Sequence, residues 1–182
     1  MNILVISSSP RKSGNSDVLC DRFIEGAKES GHHTEKIRLD ELNISPCRAC
    51  NACVKNHKCV INDDMAAIAE KMLAADMIVL ATPVYFYSLC AQLKTMIDRC
   101  YAKHTEMKNK KFVFIITAAD PQRKAATETL DSLRGFIRCL PDAEEKAVIY
   151  GTGTWDKGDV FKHPSYEQAY DLGKNLIERT GL

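Results

Sequence analysis

A chain of 182 residues with 45% apolar side chains is long enough to bury a substantial core and reads as one globular domain. Its 25 Lys and Arg against 24 Asp and Glu leave a formal charge of +1, so nothing points to nucleic acid or an anionic membrane as partner. No apolar run reaches transmembrane length, and eight cysteines in the reducing cytoplasmic setting this implies would be buried hydrophobes, metal ligands or redox groups.

Asn2 to Ile6 is a short aliphatic run of the buried-strand type, followed too soon by three serines to be a signal-peptide core. The stretch Ser7 to Ser16 reads as a strand-to-helix turn, because Leu19, Phe23, Ile24 and Ala27 then recur at helical spacing. The predicted helix runs from Ser16 to Ser30 and stops at Gly31. The first N–H groups of such a helix lack an intrahelical partner, and its dipole makes that end positive. Together with the Ser hydroxyls, the Asn15 amide and the cations Arg11 and Lys12, this makes an anion cradle sized for a phosphate. The competing reading is a plain N-cap of Asn15 or Ser16 beside a polar loop. Neither G-x-x-x-x-G-K-[ST] nor G-x-G-x-x-G stands here, and a phosphate gripped by hydroxyls and backbone points to a mononucleotide such as FMN.

A second strand, Thr34 to Leu39, alternates polar and apolar residues as an edge strand does. Residues 43–62 break all periodicity and carry Cys47, Cys50, Cys53 and Cys59. Asp63 or Asp64 is expected to cap a helix with Met65, Ile68, Met72 and Leu73 on its core face. Met77 to Ala81 is wholly apolar, hence a central strand, and ends in an aromatic loop from Thr82 to Ser88. Next come a helix with Leu93, Met96, Ile97, Cys100 and Tyr101, a fourth strand from Phe112 to Thr117, and the loop Ala118 to Gln122. A helix with Leu130, Leu133 and Ile137 precedes a fifth strand, Ala147 to Tyr150. A loop from Gly151 to His163 leads to the last helix, with Tyr166, Tyr170, Gly173, Leu176 and Ile177.

This alternation predicts an α/β fold: a doubly wound five-stranded parallel sheet, flavodoxin-like, in strand order 2-1-3-4-5. It would be a single domain with a Cys-rich loop inserted at residues 43–62. The loops after strands one and three then meet at the crevice where the order reverses, with the loop after strand four beside them.

Pro83, Val84, Tyr85, Phe86, Tyr87 and Ser88 offer an isoalloxazine ring a flat apolar wall and backbone groups. The competing reading is a patch of aromatics packed under the next helix. Ser9-Pro10-Arg11-x-x-Gly14-Asn15-Ser16 and Pro83-Val84-Tyr85-Phe86-Tyr87-Ser88-x-x-Ala91-Gln92-Leu93-Lys94-x-x-Ile97-Asp98-Arg99 resemble the NADPH-dependent FMN reductase branch of the flavodoxin-like proteins. With the cysteine group between them they resemble, more narrowly, the iron–sulfur flavoproteins of that branch. The resemblance covers most of the chain as far as Ile116. It implies that Ser9, Arg11, Ser13, Asn15 and Ser16 hold the FMN phosphate and that Pro83 to Ser88 flank the ring. Thr117, Ala118 and Ala119 would border its far side, where the family usually carries glycines. It also implies NAD(P)H as co-substrate, a quinone, flavin or other small-molecule or protein acceptor, and a homodimer or homotetramer with flavin near an interface. Hydride transfer asks for positioning and electrostatics, so no catalytic side chain in the acid–base sense is expected.

Cys47-x2-Cys50-x2-Cys53-x5-Cys59 is a compact thiolate array of the kind that wraps an iron–sulfur cluster, and its spacing, with Pro46 before it, resembles the iron–sulfur flavoprotein pattern, which implies [4Fe–4S]. Zinc, thiol–disulfide chemistry, and free thiols beside FMN alone are the other readings. Cys20, Cys90, Cys100 and Cys139 are expected to pack in the core from helix faces, and Asp98 and Arg99 to ion-pair or cap around a helix end. Trp155 and Phe161 either pack on their own domain or cover a partner's flavin. Two rival functions accompany the FMN oxidoreductase: an iron–sulfur flavoprotein relaying single electrons, and a non-enzymatic flavodoxin-like carrier or redox sensor. The near-neutral charge speaks against the carrier, which needs a charged docking face.

Overall fold

A computed structural model describes residues 1–176. In chain order its elements are β1 (Asn2–Ser7), α1 (Asn15–Glu29), β2 (His33–Arg38), the single turn α2 (Cys53–Asn56), α3 (Met65–Ala74), β3 (Met77–Tyr85), β4 (Ser88–Leu89), α4 (Ala91–Arg99), β5 (Lys111–Ala118), α5 (Thr127–Arg138), β6 (Glu144–Thr152) and α6 (Ser165–Lys174). Five strands run parallel in the order β2-β1-β3-β5-β6, and the two-residue β4 folds back antiparallel on the end of β3. Counted over the parallel strands, this is the predicted flavodoxin-like order.

The strands sort as their sequences suggest. β1, β3 and β5 bury both faces over most of their length, while β2 and β6 alternate as edges do. Successive side chains leave a strand on opposite sides, so Phe112, Phe114 and Ile116 meet α3, α4 and α5, while Val113 and Ile115 join the core under α1 and α6. Phe23, Phe112 and Phe114 are fully buried, worth about 2 kcal/mol each in area removed from water. α1 and α6 touch backbone to backbone. A Cβ on Gly26 would lie 2.1 Å from the Tyr170 carbonyl oxygen, and one on Gly173 the same distance from that of Phe23, so only glycine permits the crossing.

Several expectations change. α1 starts at Asn15 with Gly14 in the N-cap position and no side-chain cap, which removes Asn15 and Ser16 as caps. Asp64 takes the N-cap position of α3 without a side-chain cap bond, and Asp63, one residue before it, accepts the Met65 N–H at 3.2 Å. β3 does not end at Ala81. Thr82 and Pro83 keep pairing with β5, Val84 and Tyr85 pair with β4, and the chain reverses through Phe86 and Tyr87 at φ 50° and 62°. Cys20, Cys90 and Cys100 are buried as expected, but Cys139 is exposed, because Ile137 and Leu140 take the core positions on either side of it. Tyr101 lies past α4, exposed and stacked on His104 at 5.1 Å. Phe161 packs edge-on against Tyr166 of its own chain. Leu176 packs beyond the end of α6, and Ile177 lies outside the described residues.

Candidate functional site

The parallel register sets Ser7 beside Ala81, Pro83 beside Thr117, and Thr117 beside Gly151. Loops leaving β1, β3, β5 and β6 therefore open at one edge of the sheet. There a cleft is lined by Ser9, Arg11, Gly14, Asn15 and Ser16, by Pro83, Val84 and Tyr85, by Thr117, Ala118 and Ala119, and by Thr154, Trp155 and Lys157. It sits where the strand order reverses, between β1 and β3.

The loops are laced together underneath. The Ser8 N–H and hydroxyl both donate to the Ala81 carbonyl, at 3.0 and 2.6 Å. The buried Cys90 thiol donates to the Ser8 carbonyl at 3.2 Å, and the Cys90 N–H donates to Thr82 Oγ1 at 3.1 Å. Within the first loop, the Gly14 N–H closes on the Arg11 carbonyl at 2.9 Å and Ser9 Oγ accepts the Arg11 N–H at 3.1 Å. A Cβ on Gly14 would stand 3.0 Å from both Ser9 Oγ and the Arg11 oxygen, so this close turn favours glycine.

The expected phosphate ligands divide. Ser16 is 1% exposed and lines the cleft, and its hydroxyl has no hydrogen-bond partner among the described residues. Asn15 is engaged: its Nδ2 donates to the Asp156 carbonyl at 2.9 Å, and its Oδ1 accepts the N–H groups of Gly158 and Val160 at 3.2 and 3.3 Å. It ties the loop after β6 across the cleft. Arg11 reaches the Trp155 carbonyl at 3.4 Å. Ser13 is exposed, stands off the lining at φ 54°, and gives its N–H to Asp17. Of the aromatic segment, Pro83, Val84 and Tyr85 face the cleft, whereas Phe86, Tyr87 and Ser88 form the hairpin tip outside its lining, Phe86 with its side chain wholly in solvent.

Thr154 and Lys157 were not anticipated, and Trp155 joins the same chain's cleft while staying largely exposed. The Thr154 N–H donates to the Ala118 carbonyl at 3.0 Å, and Asp159 Oδ2 accepts the N–H groups of Trp155 and Asp156 at 2.9 and 2.8 Å. The available signal was an Asp three residues after another in a non-periodic loop that follows a strand, an Asx-type turn at the sheet's ligand edge.

The cysteine loop is different. Cys47 and Cys50 are exposed, Cys53 and Cys59 half-buried, and all four are free thiols. Ala49, Asn51 and His57 hold left-handed backbone at φ 51°, 57° and 50°. Four thiols are chemically suited to iron–sulfur or zinc, yet among the described residues no three His, Cys, Asp or Glu side chains gather as metal ligands do. This arrangement does not itself form a cluster site. The loop's mouth, by contrast, is fixed. Arg99 donates through Nη1 to the Ser45 carbonyl and Asp63 Oδ2, both at 2.7 Å, and through Nη2 to Asp63 Oδ1 at 2.9 Å and the Ile61 carbonyl at 3.4 Å. Both side chains are at most 2% exposed. The Arg99 hydrogen bonds outweigh burial and hold the Asp63 carboxyl down to about 2. Asp98 pairs with Lys94 one helical turn back, at 2.6 Å.

The family model described as NADPH-dependent FMN reductase matches residues 1–143. An iron-sulfur flavoprotein of Methanosarcina thermophila is 43% identical over 113 residues, covering 60% of this chain and 59% of that protein. Another, of Methanocaldococcus jannaschii, is 32% identical across 98% of this chain and 96% of its own length. The chain thus spans about three fifths of the first relative and nearly all of the second. Among solved structures, the NAD(P)H:quinone oxidoreductase from Methanothermobacter marburgensis superposes over 100% of this chain and 98% of its own with a TM-score of 0.79, a likeness of fold at 17% identity. No described helix is long and apolar enough to cross a membrane.

Proposed function

The chain belongs to the NADPH-dependent FMN reductase family, and from that premise we propose that the cleft at the ends of β1, β3 and β5 holds FMN and that the protein is an NAD(P)H-dependent oxidoreductase serving a quinone, a flavin or another small-molecule acceptor. One observation carries the reading. The Ser16 hydroxyl is buried, without a partner among the described residues, and on the cleft wall, in the first turn of α1, where backbone N–H groups also lack intrahelical partners. A buried hydroxyl left without a partner is costly, and a phosphate at this helix end gives it one.

In this reading Ser9, Ser16 and the backbone of residues 14–16 grip the phosphate, and Arg11 and Lys157 on the cleft lining supply positive charge. Asn15 holds the loop after β6 in place across the cleft, and Asn15 and Ser13 serve the cradle through the backbone they fix. Pro83 to Tyr85 and Thr117 to Ala119 form the two sides of a slot for a flat ring, with Trp155 at its mouth. Bound FMN supplies the electron-accepting ring that takes a hydride from NAD(P)H and gives the electrons up again. The chain's part is to hold ring and co-substrate in register and to offer backbone dipoles, which is positioning rather than acid–base work. The exposed Tyr85, Phe86, Tyr87 and Trp155 around the mouth suit burial against a second copy of the chain, in the homodimer or homotetramer that family likeness suggests.

The test is anaerobic addition of NADPH, and separately NADH, to the FMN-loaded protein. Bleaching of the oxidised-flavin band, with recovery on adding a quinone, is the expected result. Bound flavin that neither nucleotide reduces would leave a carrier instead of an enzyme.

A second reading is favoured by the 43%-identical relative's name and by Cys47, Cys50, Cys53 and Cys59: an iron–sulfur flavoprotein that passes single electrons. It requires the loop to draw its thiols together. Stoichiometric iron and acid-labile sulfide in an anaerobic preparation would support it, and their absence would remove it.

A further inference from the structure

Asp17 lies behind the cradle, not in it. It is in the first turn of α1 with its side chain 5% exposed, and each carboxylate oxygen is doubly engaged. Oδ1 accepts the Ser7 hydroxyl at 2.7 Å and pairs with Lys36 Nζ at 2.8 Å. Oδ2 accepts the Ser13 N–H at 3.0 Å and pairs with Arg38 Nη1 at 2.5 Å. One carboxylate thereby joins the end of β1, the turn, and the edge strand β2. Burial pushes this carboxyl up, but the hydrogen bonds from Lys36, Ser7 and Ser13 outweigh it and keep it ionised below the usual range.

The Ser13 bond matters most. Ser13 is not glycine, yet it sits at φ 54°, a region a side chain resists. Its N–H is held there by Asp17, and the next residue closes the turn through Gly14 N–H to the Arg11 carbonyl. That turn aims the residue 14–16 segment at the cleft. Lys36 and Arg38 are not free to serve a phosphate. Lys36 also holds Asp21 at 2.7 Å, and Arg38 also holds Asp40 at 2.8 Å and Glu41 at 3.1 Å. Their role at this point is to neutralise Asp17, so that a carboxylate behind an anion site does not repel the anion.

We propose that Asp17 is the positioning residue of the phosphate cradle: by clamping Ser13 in its left-handed turn and anchoring it to Lys36 and Arg38, it preorganises the site and sets its preference for a phosphorylated flavin over the unphosphorylated one. The inference rests on the FMN reading. FMN and riboflavin share every ring contact and differ at the phosphate, so a device that acts only on the cradle changes one affinity and spares the other. A turn released from Asp17 must be reordered each time a phosphate binds, and that cost falls on FMN alone.

The experiment titrates FMN and riboflavin into apoprotein of the wild type, Asp17→Ala and Asp17→Asn, following flavin fluorescence. Asp17→Ala is expected to weaken FMN by about tenfold or more and riboflavin by less than about twofold, collapsing the wild type's preference. Asp17→Asn keeps the size and one acceptor and is expected to fall between; it carries the comparison if the alanine variant does not fold. Equal weakening of both flavins would make Asp17 a general stability residue and overturn the inference, as would unchanged FMN affinity. Wild-type protein that binds neither flavin would remove the FMN reading itself, and this inference with it.

Discussion

The turn between β1 and α1 and the cysteine loop between β2 and α3 are both irregular, polar and rich in groups that bind things, yet they are built in opposite ways. In the first, the conformation is fixed from behind by buried bonds: Ser8 on Ala81, Cys90 on Ser8, Asp17 on Ser7 and Ser13. It leaves the buried Ser16 hydroxyl, on the cleft wall, without a partner among the described residues. In the second, the mouth is locked by Arg99 and Asp63, but the thiols within stand apart, two of them exposed. The contrast teaches where the ordering free energy is spent. The first turn is already fixed by its own contacts, while the loop at 46–60 would have to rearrange to gather four sulfurs, inside a frame that already holds its ends.

The sharpest way to break that contrast is to unlock the mouth. Arg99→Met leaves Asp63 buried without its partner and is expected to cost about 3–5 kcal/mol, read by urea unfolding. Hydrogen exchange should quicken across residues 43–63 and stay slow at residues 8–17. An unchanged exchange pattern in the cysteine loop would show that the ion pair is not its anchor.

Acid provides a gentler version. Asp63 titrates at about 2 in the fold, below its ordinary value of 3.8. A depressed carboxylate stabilises the fold above the unfolded value and loses that contribution as pH falls through the folded one. About 2 kcal/mol of stability should therefore disappear between about pH 4 and about pH 2. Asp17, also held down, adds in the same direction. In Arg99→Met the Asp63 share should be missing, so its unfolding midpoint should change less across the same interval.

The smallest effect is expected at the hairpin tip, which belongs to neither region. A two-residue reversal with both central residues at positive φ is normally Asn-Gly, and here it is Phe86-Tyr87. Replacing the pair by Asn-Gly should stabilise the protein by about 1 kcal/mol. If NADPH-driven turnover falls while stability rises, the aromatics are kept for function. If both rise or hold, the tip is only tolerated strain.

The sheet was largely legible because its strands are short apolar runs with little else to become. Met77 to Ala81 read as a central strand and Phe112 to Thr117 as a strand without any long-range information. The strand, turn and helix around residues 7–16 were legible too, since they form a local pattern. What was hidden depends on contacts between residues far apart in the chain. Asn15 looked like a phosphate ligand or a cap, and became a tie to residues 156–160 only because β6 pairs beside β5. Thr154 and Lys157 entered the cleft by the same pairing. Arg99 and Asp63 lie 36 positions apart, so no helical spacing joins them. Phe86 and Tyr87 concealed the hairpin because aromatics at positive φ carry no turn signal. Cys139 misled because it lies off the core face that Leu133, Ile137 and Leu140 define.

In the proposed reading separate loops form one slot, with the phosphate at α1 and the ring between β3 and β5. Hydrogen-exchange protection on adding FMN tests it most directly. New protection is expected at residues 9–16, 83–85, 117–119 and 154–157 together, with residues 46–60 unaffected. Protection confined to one of these segments, or appearing in the cysteine loop instead, would contradict it.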